Sequence, residues 1–259
     1  MNATNYFETA ILNSMRGVDL TAPATMYLAL FLTDPTDSGQ AGTEVVYTDY
    51  ARQPITFSAP AVVTGGIGMQ NDRRITFPKS VDDAGTVAYI GIMDSITGGN
   101  MWAHGKLAEP LNVLAGTAPI FSPGDLQLSF AGDLTKAYKA KYLNVLRGQT
   151  VEGLNLFVSL YNGDPDNGGA ELSGTNYARV ALSMTAPTEA ETGQMRIENS
   201  VQASFNRPSA TWGTWTYTAL YNAATGGQAV WRQAKAPVWE MKAGRMPIIE
   251  QGAIKLAIN

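Results

Sequence analysis

Apolar and polar positions follow two different periods along this chain. Between Thr4 and Arg16 the apolar residues Phe7, Ala10, Ile11, Leu12 and Met15 recur mostly at three and four, which predicts an amphipathic helix capped by Thr4 or Asn5 and ended by Gly17. Past Gly17 the blocks become short and β-like. Met26 to Leu32 is a continuous apolar run closed by Thr33-Asp34-Pro35, a buried strand followed by a turn, and residues 34 to 43 read as loop. Glu44 to Phe57 holds one or two short strands. Gly65-Gly66 and Asn71-Asp72 punctuate another pair, and Pro78 stops a strand over Arg74 to Phe77. Val87 to Met93 and Met101 to Leu107 flank Thr97-Gly98-Gly99, where two glycines that tolerate positive φ predict a hairpin tip. Asp125 to Phe130 alternates as a last strand.

The same pattern then starts again. A second helix is predicted over Ala137 to Arg147, ended by Gly148, and Leu156 to Tyr161 leads into Gly163-Asp164-Pro165. Tyr177-Ala178-Arg179 repeats Tyr50-Ala51-Arg52, and Thr225-Gly226-Gly227 repeats Thr97-Gly98-Gly99. The offsets, 164 − 34 = 130, 179 − 52 = 127 and 226 − 98 = 128, drift by only a few residues, so the period is that of a whole domain rather than of a solenoid repeat. Two tandem domains are expected, 1–133 and 134–259, joined by a short link near Gly132 to Thr135 and touching each other. Each is an all-β antiparallel sandwich or barrel-like unit preceded by a short helix. Gly98 should superpose on Gly226.

Composition narrows the function classes. Charged residues are 15% of the chain against 45% hydrophobic, a lean surface that suits packing against neighbours. The net charge of −4 argues against nucleic acid as a partner. With no cysteine there is no thiolate metal site, disulfide or cysteine nucleophile, and no apolar run is long enough to insert in a membrane. The segment before Asp19 has no signal-peptide pattern, so synthesis in the cytoplasm is expected.

A single histidine, His104, rules out a multi-histidine metal site and a catalytic triad and reads as structural. Asp34 and Asp164 are repeated acids in Asp-Pro turns, where the carboxylate bonds its own following backbone. Arg52 and Arg179 recur at matched places and should pair bidentately with a carboxylate, Asp34 in one copy and Asp164 in the other. Asp34, Asp37 and Glu44 lack the spacing of a calcium loop, and no phosphate loop is present, so no cofactor or metal is expected. Trp212, Trp215 and Trp239 crowd the second copy. They fill the core, or they form a contact surface such as a carbohydrate or adhesive site.

These features resemble a family of bacteriophage structural proteins labelled tail-fibre or minor tail proteins, of the Gp80-like kind. The resemblance rests on Arg16-Gly17, on Tyr27 to Phe31 with Thr33-Asp34-Pro35, on Tyr50 to Phe57, on Ile75 to Pro78, on Gly85-Thr86-Val87, and on Ile92 to Asn100. It is fullest in the first copy; the second has Val180-Ala181-Leu182 in place of Gln53-Pro54-Ile55. What the resemblance implies is a non-enzymatic virion component, made in the host cytoplasm and assembled with other virion proteins in a tail, collar or fibre, as a homo-oligomer within the particle. A capsid-decorating or head-fibre protein and a receptor-binding adhesin for host-surface glycan are the alternatives, with a glycan hydrolase as a third class. The duplication suggests that the two copies meet different neighbours.

Overall fold

The computed structural model describes residues 1–190 and 193–258; Asn259, the last residue of the expected second domain, lies outside them. Strand makes up 41% and helix 10%, in several antiparallel sheets with no closed barrel, so the all-β expectation holds in its layered form.

In chain order the first copy comprises β1 (Asn2–Ala3), α1 (Asn5–Ser14), β2 (Met26–Phe31), β3 (Gln53–Ile55), β4 (Ala61–Val63), β5 (Gly66–Gln70), β6 (Ile75–Thr76), β7 (Gly85–Met93), β8 (Met101–Val113), β9 (Ile120–Phe121) and β10 (Gln127–Phe130). The second comprises α2 (Lys136–Leu143), a 3-10 turn over Asn144–Arg147, β11 (Leu156–Asn162), a short 3-10 turn at Pro165–Asn167, β12 (Ala170–Glu171), β13 (Val180–Leu182), β14 (Thr188–Glu189), β15 (Met195–Glu198), β16 (Ala203–Ser204), β17 (Gly213–Tyr221), β18 (Ala229–Met241), β19 (Ile248–Ile249) and β20 (Lys255–Ala257).

Each copy builds the same set of sheets. A main sheet of order β1-β8-β7-β2-β3 answers to β18-β17-β11 with β12 and β13 beside β11. A small sheet β10-β5-β4 answers to β20-β15-β14, and the pair β6-β9 to β16-β19. Even the irregularities repeat: the long hairpin β7–β8 shifts register between Val87/Tyr89 and Ile92/Met93, and β17–β18 between Trp215/Tyr217 and Leu220/Tyr221, each position 128 residues on (215 − 87 = 128). A shared bulge pattern is inherited geometry rather than chance, because every bulge turns the following side chains to the other face.

Thr4 caps α1, accepting from the Phe7 amide at 3.5 Å, and the helix buries Phe7, Ile11 and Leu12. Its hydroxyl also donates to the Met101 carbonyl at 2.5 Å, as that of Thr135 before α2 donates to the Ala229 carbonyl at 2.6 Å. One hydroxyl in each copy thus ties helix start to hairpin.

The helices do not belong to one copy alone. α1 packs on β8 of its own copy and on β15 and β20 of the other, while α2 packs on β18 and on β5. One hydrophobic cluster runs through both copies, and a small second one, of Ala29, Phe31, Met93 and Met101, lies within the first. Contacts across the junction come in reciprocal pairs. Leu20 and Val151 exchange both backbone hydrogen bonds, at 2.8 and 3.0 Å. Arg16 Nε donates to the Met184 carbonyl at 3.4 Å, and Arg147 Nε, 131 residues on (147 − 16 = 131), to the Phe57 carbonyl at 3.2 Å. The Gly153 amide donates to Asp19 Oδ1 at 2.8 Å, and that of Ala22 to Thr150 Oγ1 at 3.0 Å. When residue i meets j′ and j meets i′, the interface is isologous: the chain is a pseudo-two-fold dimer of its own halves.

Candidate functional site

The repeated polar residues converge at the hairpin tips. In the first copy the chain leaves β2, loops through residues 34 to 43 and returns so that Glu44 lies antiparallel beside Phe31. From there Arg52 meets Glu44 with both prongs, Nε to Oε1 at 2.9 Å and Nη2 to Oε2 at 2.8 Å. The remaining nitrogen, Nη1, donates to the carbonyls of Ser95 at 2.9 Å and Gly98 at 2.6 Å, which pins the tip of β7–β8. Tyr50 completes the group, its hydroxyl donating to Glu44 Oε1 at 2.9 Å and accepting from the Leu30 amide at 3.1 Å. The second copy repeats every bond: Arg179 to Glu171 at 2.9 and 2.7 Å and to the carbonyls of Ala223 and Gly226 at 2.9 and 2.6 Å, with Tyr177 between Glu171 and the Leu160 amide.

The expected partners of the arginines are therefore corrected. Asp34 and Asp164 lie past the ends of β2 and β11, whereas Glu44 and Glu171 stand where the chain comes back beside Phe31 and Tyr161. Asp34 Oδ1 accepts from the Thr36 amide at 2.9 Å and Asp164 Oδ1 from the Asp166 amide at 3.0 Å, each closing its own turn. Asp34 also lies 3.6 Å from His104 Nδ1, and Asp164 is 2.7 Å from Arg232 Nε. His104 is buried, with Nε2 2.7 Å from Asp37 Oδ1. The missed glutamates carry a signal of their own: Glu-x5-Tyr-Ala-Arg occurs in both copies at the same spacing.

Electrostatics make each cluster a closed unit. The hydrogen bonds Arg52 gives to Glu44 raise its pKa against the pull of burial; at Arg179 burial is the larger single effect, outweighed by Glu171 and the phenol groups of Tyr221 and Tyr161 together. Burial drives Tyr50 and Tyr177 far above the ordinary phenol range. Every nitrogen and oxygen of each arginine–glutamate pair takes part in a hydrogen bond. Among the described residues no group of three or more histidine, aspartate or glutamate side chains stands where it would hold a metal ion.

The two glycine pairs sit at matching tips, with φ of +59° and +74° at Gly98 and Gly99 and of +61° and +69° at Gly226 and Gly227. Only Gly99 and Gly227 are also crowded: a Cβ there would run into Asp94 Oδ1 or Asn222 Oδ1. Those oxygens accept across the turn from the amides of Asn100 and Gln228, both at 2.7 Å.

The tryptophans do not form one surface. Trp212 and Trp215 are buried, their indole N–H groups given to the Thr175 carbonyl and Thr218 Oγ1. Trp239 is half-buried against Trp215, and its ring is flanked by Lys235 at 4.6 Å and Arg245 at 4.4 Å. Trp212 and Trp215 thus fill the core, and of the three only Trp239 keeps part of its side chain exposed. In the second copy Arg179 also stacks 3.5 Å over Tyr221, where the first copy has Met93.

The fold is thus two homologous layered β units related by a pseudo-two-fold axis, each with the same hydrogen-bonded polar cluster at its hairpin tip. The family model of the podophage GP4 fiber I protein gp80 matches residues 2–129 and again 133–257. The chain belongs to this family of phage fibre proteins, in tandem duplicate. No curated protein matches it. No helix among the described residues is long and apolar enough to cross a membrane.

Proposed function

We propose that the chain is a non-enzymatic structural subunit of a phage particle, placed in the tail, its collar or its fibres, and acting by assembly with other virion proteins and with copies of itself. The observation that carries this reading is the family match, which covers both copies nearly end to end. The geometry supports it: the arginines repeated in both copies are spent on joining backbone segments at the hairpin tips.

Contacts with neighbours fall to loops and edges. Near the first tip a groove of about 410 Å³ is lined by Glu44, Tyr50, Arg52, Val46 and Ile96, of which Val46 and Ile96 are exposed. The second copy has Ser173 and Ala224 in their places, so the two tips offer different surfaces and fit different neighbours. The glycan reading is weakened by the burial of Trp212 and Trp215 and by the cations flanking Trp239, since a sugar needs a free ring face.

Immunogold labelling of intact particles, with mass spectrometry of separated heads and tails, tests the reading. The chain is expected in the tail fraction. Recovery with heads would move it to the capsid surface, and binding of host polysaccharide that is lost in Trp239→Ala would favour the adhesin.

A further inference from the structure

The small sheets of the two copies share a backbone but not a surface. In the second copy the outward face of β14-β15-β20 carries Arg196, Glu198 and Lys255. At the matching positions of β4-β5-β10 stand Gly68, Gln70 and Gln127, with no charge among them. A hollow of about 230 Å³ lies on that face, bordered by Ala61, Val63, Gly68 and Ser129. The edges differ in the same sense. β14 ends its sheet with Thr188-Glu189, a charged edge of the kind that blocks pairing. β4 ends its sheet with Ala61-Val62-Val63, exposed throughout, and Val62 is 79% exposed at the place of Glu189.

We propose that β4 is a docking edge whose occupant is β4 of a second copy of this chain, paired antiparallel about a two-fold axis through Val62 to give a continuous six-stranded sheet. An edge strand run antiparallel to itself is self-complementary: each free N–H faces the free carbonyl of its mate. Two identical edges normally bring like charges together, and this one has none to bring. Because Glu189 blocks the homologous edge, pairing through β4 closes at two chains instead of growing into a filament. The proposal rests on the assembly reading above, but the two fail separately.

Sedimentation equilibrium of the full chain at tens of micromolar should give twice the 27.7 kDa mass of one chain. Val62→Glu, which copies the residue of the second copy, should return the mass to a single chain with an unchanged circular dichroism spectrum, and Thr188→Glu should leave the dimer intact. Since the chain has no cysteine, Val62→Cys should cross-link to itself under mild oxidation, and Ser129→Cys should not. A single-chain mass for the wild type, or a dimer that survives Val62→Glu, would overturn the proposal. So would a Val62→Cys chain that in particles cross-links only to a different protein. Absence of the chain from particles would overturn the assembly reading while leaving the dimer standing.

Discussion

Arg52 and Arg179 each hold two backbone carbonyls and one carboxylate, so truncating either leaves a half-buried glutamate without its partner. Removing one member of such a pair should cost about 2–3 kcal/mol, and lower the melting temperature by roughly 5–10 °C in a chain of this size. Arg52→Lys should recover less than half of the loss, because an ammonium cannot bridge carboxylate and tip at once. Unchanged melting of both alanine variants would remove the clamp from the account. Glu8 gives a prediction of opposite character. Burial pushes its carboxyl up from 4.5 to about 7, helped by the charge of Asp37 and opposed by the hydrogen bond from the Met195 amide at 2.8 Å. As pH rises through 4.5 the unfolded chain loses this proton first, and the folded chain keeps it until about 7. Its contribution is therefore largest at low pH, falls across that window by about 3 kcal/mol, and is flat above it. Glu8→Gln, which keeps an oxygen for Met195, should flatten this slope and stabilise the chain at about pH 8. Urea midpoints at about pH 5 and about pH 8 for both proteins check the difference; parallel curves would refute it.

At the level of elements, the hairpin tips separate two costs that glycine usually hides together. Gly98→Ala meets open space and carries only the positive-φ penalty of about 1 kcal/mol, as does Gly226→Ala. Gly99→Ala and Gly227→Ala must in addition displace the side chain that closes the turn, for a total of about 2–3 kcal/mol. Equal losses at neighbouring positions in thermal melts would contradict this. Much of this level was legible in the residues. Thr4 as cap, the run from Met26, the two Gly-Gly turns and the period near 128 all act through local conformation, which short stretches encode. Other elements were not legible. Asn2–Ala3 and Ile120–Phe121 form strands of two residues only because a partner strand waits for each, and β8 runs on to Val113 through Pro110 although the apolar pattern fades after Leu107. Glu171 was missed as the partner of Arg179 for the same reason: eight residues separate them in sequence, and only the return of the loop beside β11 brings them together. Asn71 and Asn199 look like turn residues, yet both are fully buried, and each amide joins loops on either side of its copy.

The whole molecule behaves as one unit in this structure. Both helices are shared, the main core is continuous, and Gly153 approaches Gly17 and Val18 so closely that no Cβ fits between them. Calorimetry should therefore record one cooperative transition instead of a separate one for each copy, and two resolved peaks would show the halves to be independent. Gly153→Ala should lower that single transition strongly, by about 3 kcal/mol or more, since backbone on the opposite half has to move. Neither helix packs within one copy alone: α1 rests on β8 and on β15 and β20, and α2 on β18 and on β5. The paired bonds of Arg16 with Met184 and Arg147 with Phe57 have a further effect. Two halves on one chain meet at an effective concentration fixed by the link, so dilution does not part them. In a dimer of identical chains, moreover, any substitution is written into both members at once. Fusion lets each copy change alone, as at one matched place where the first copy has Val62 and the second Glu189.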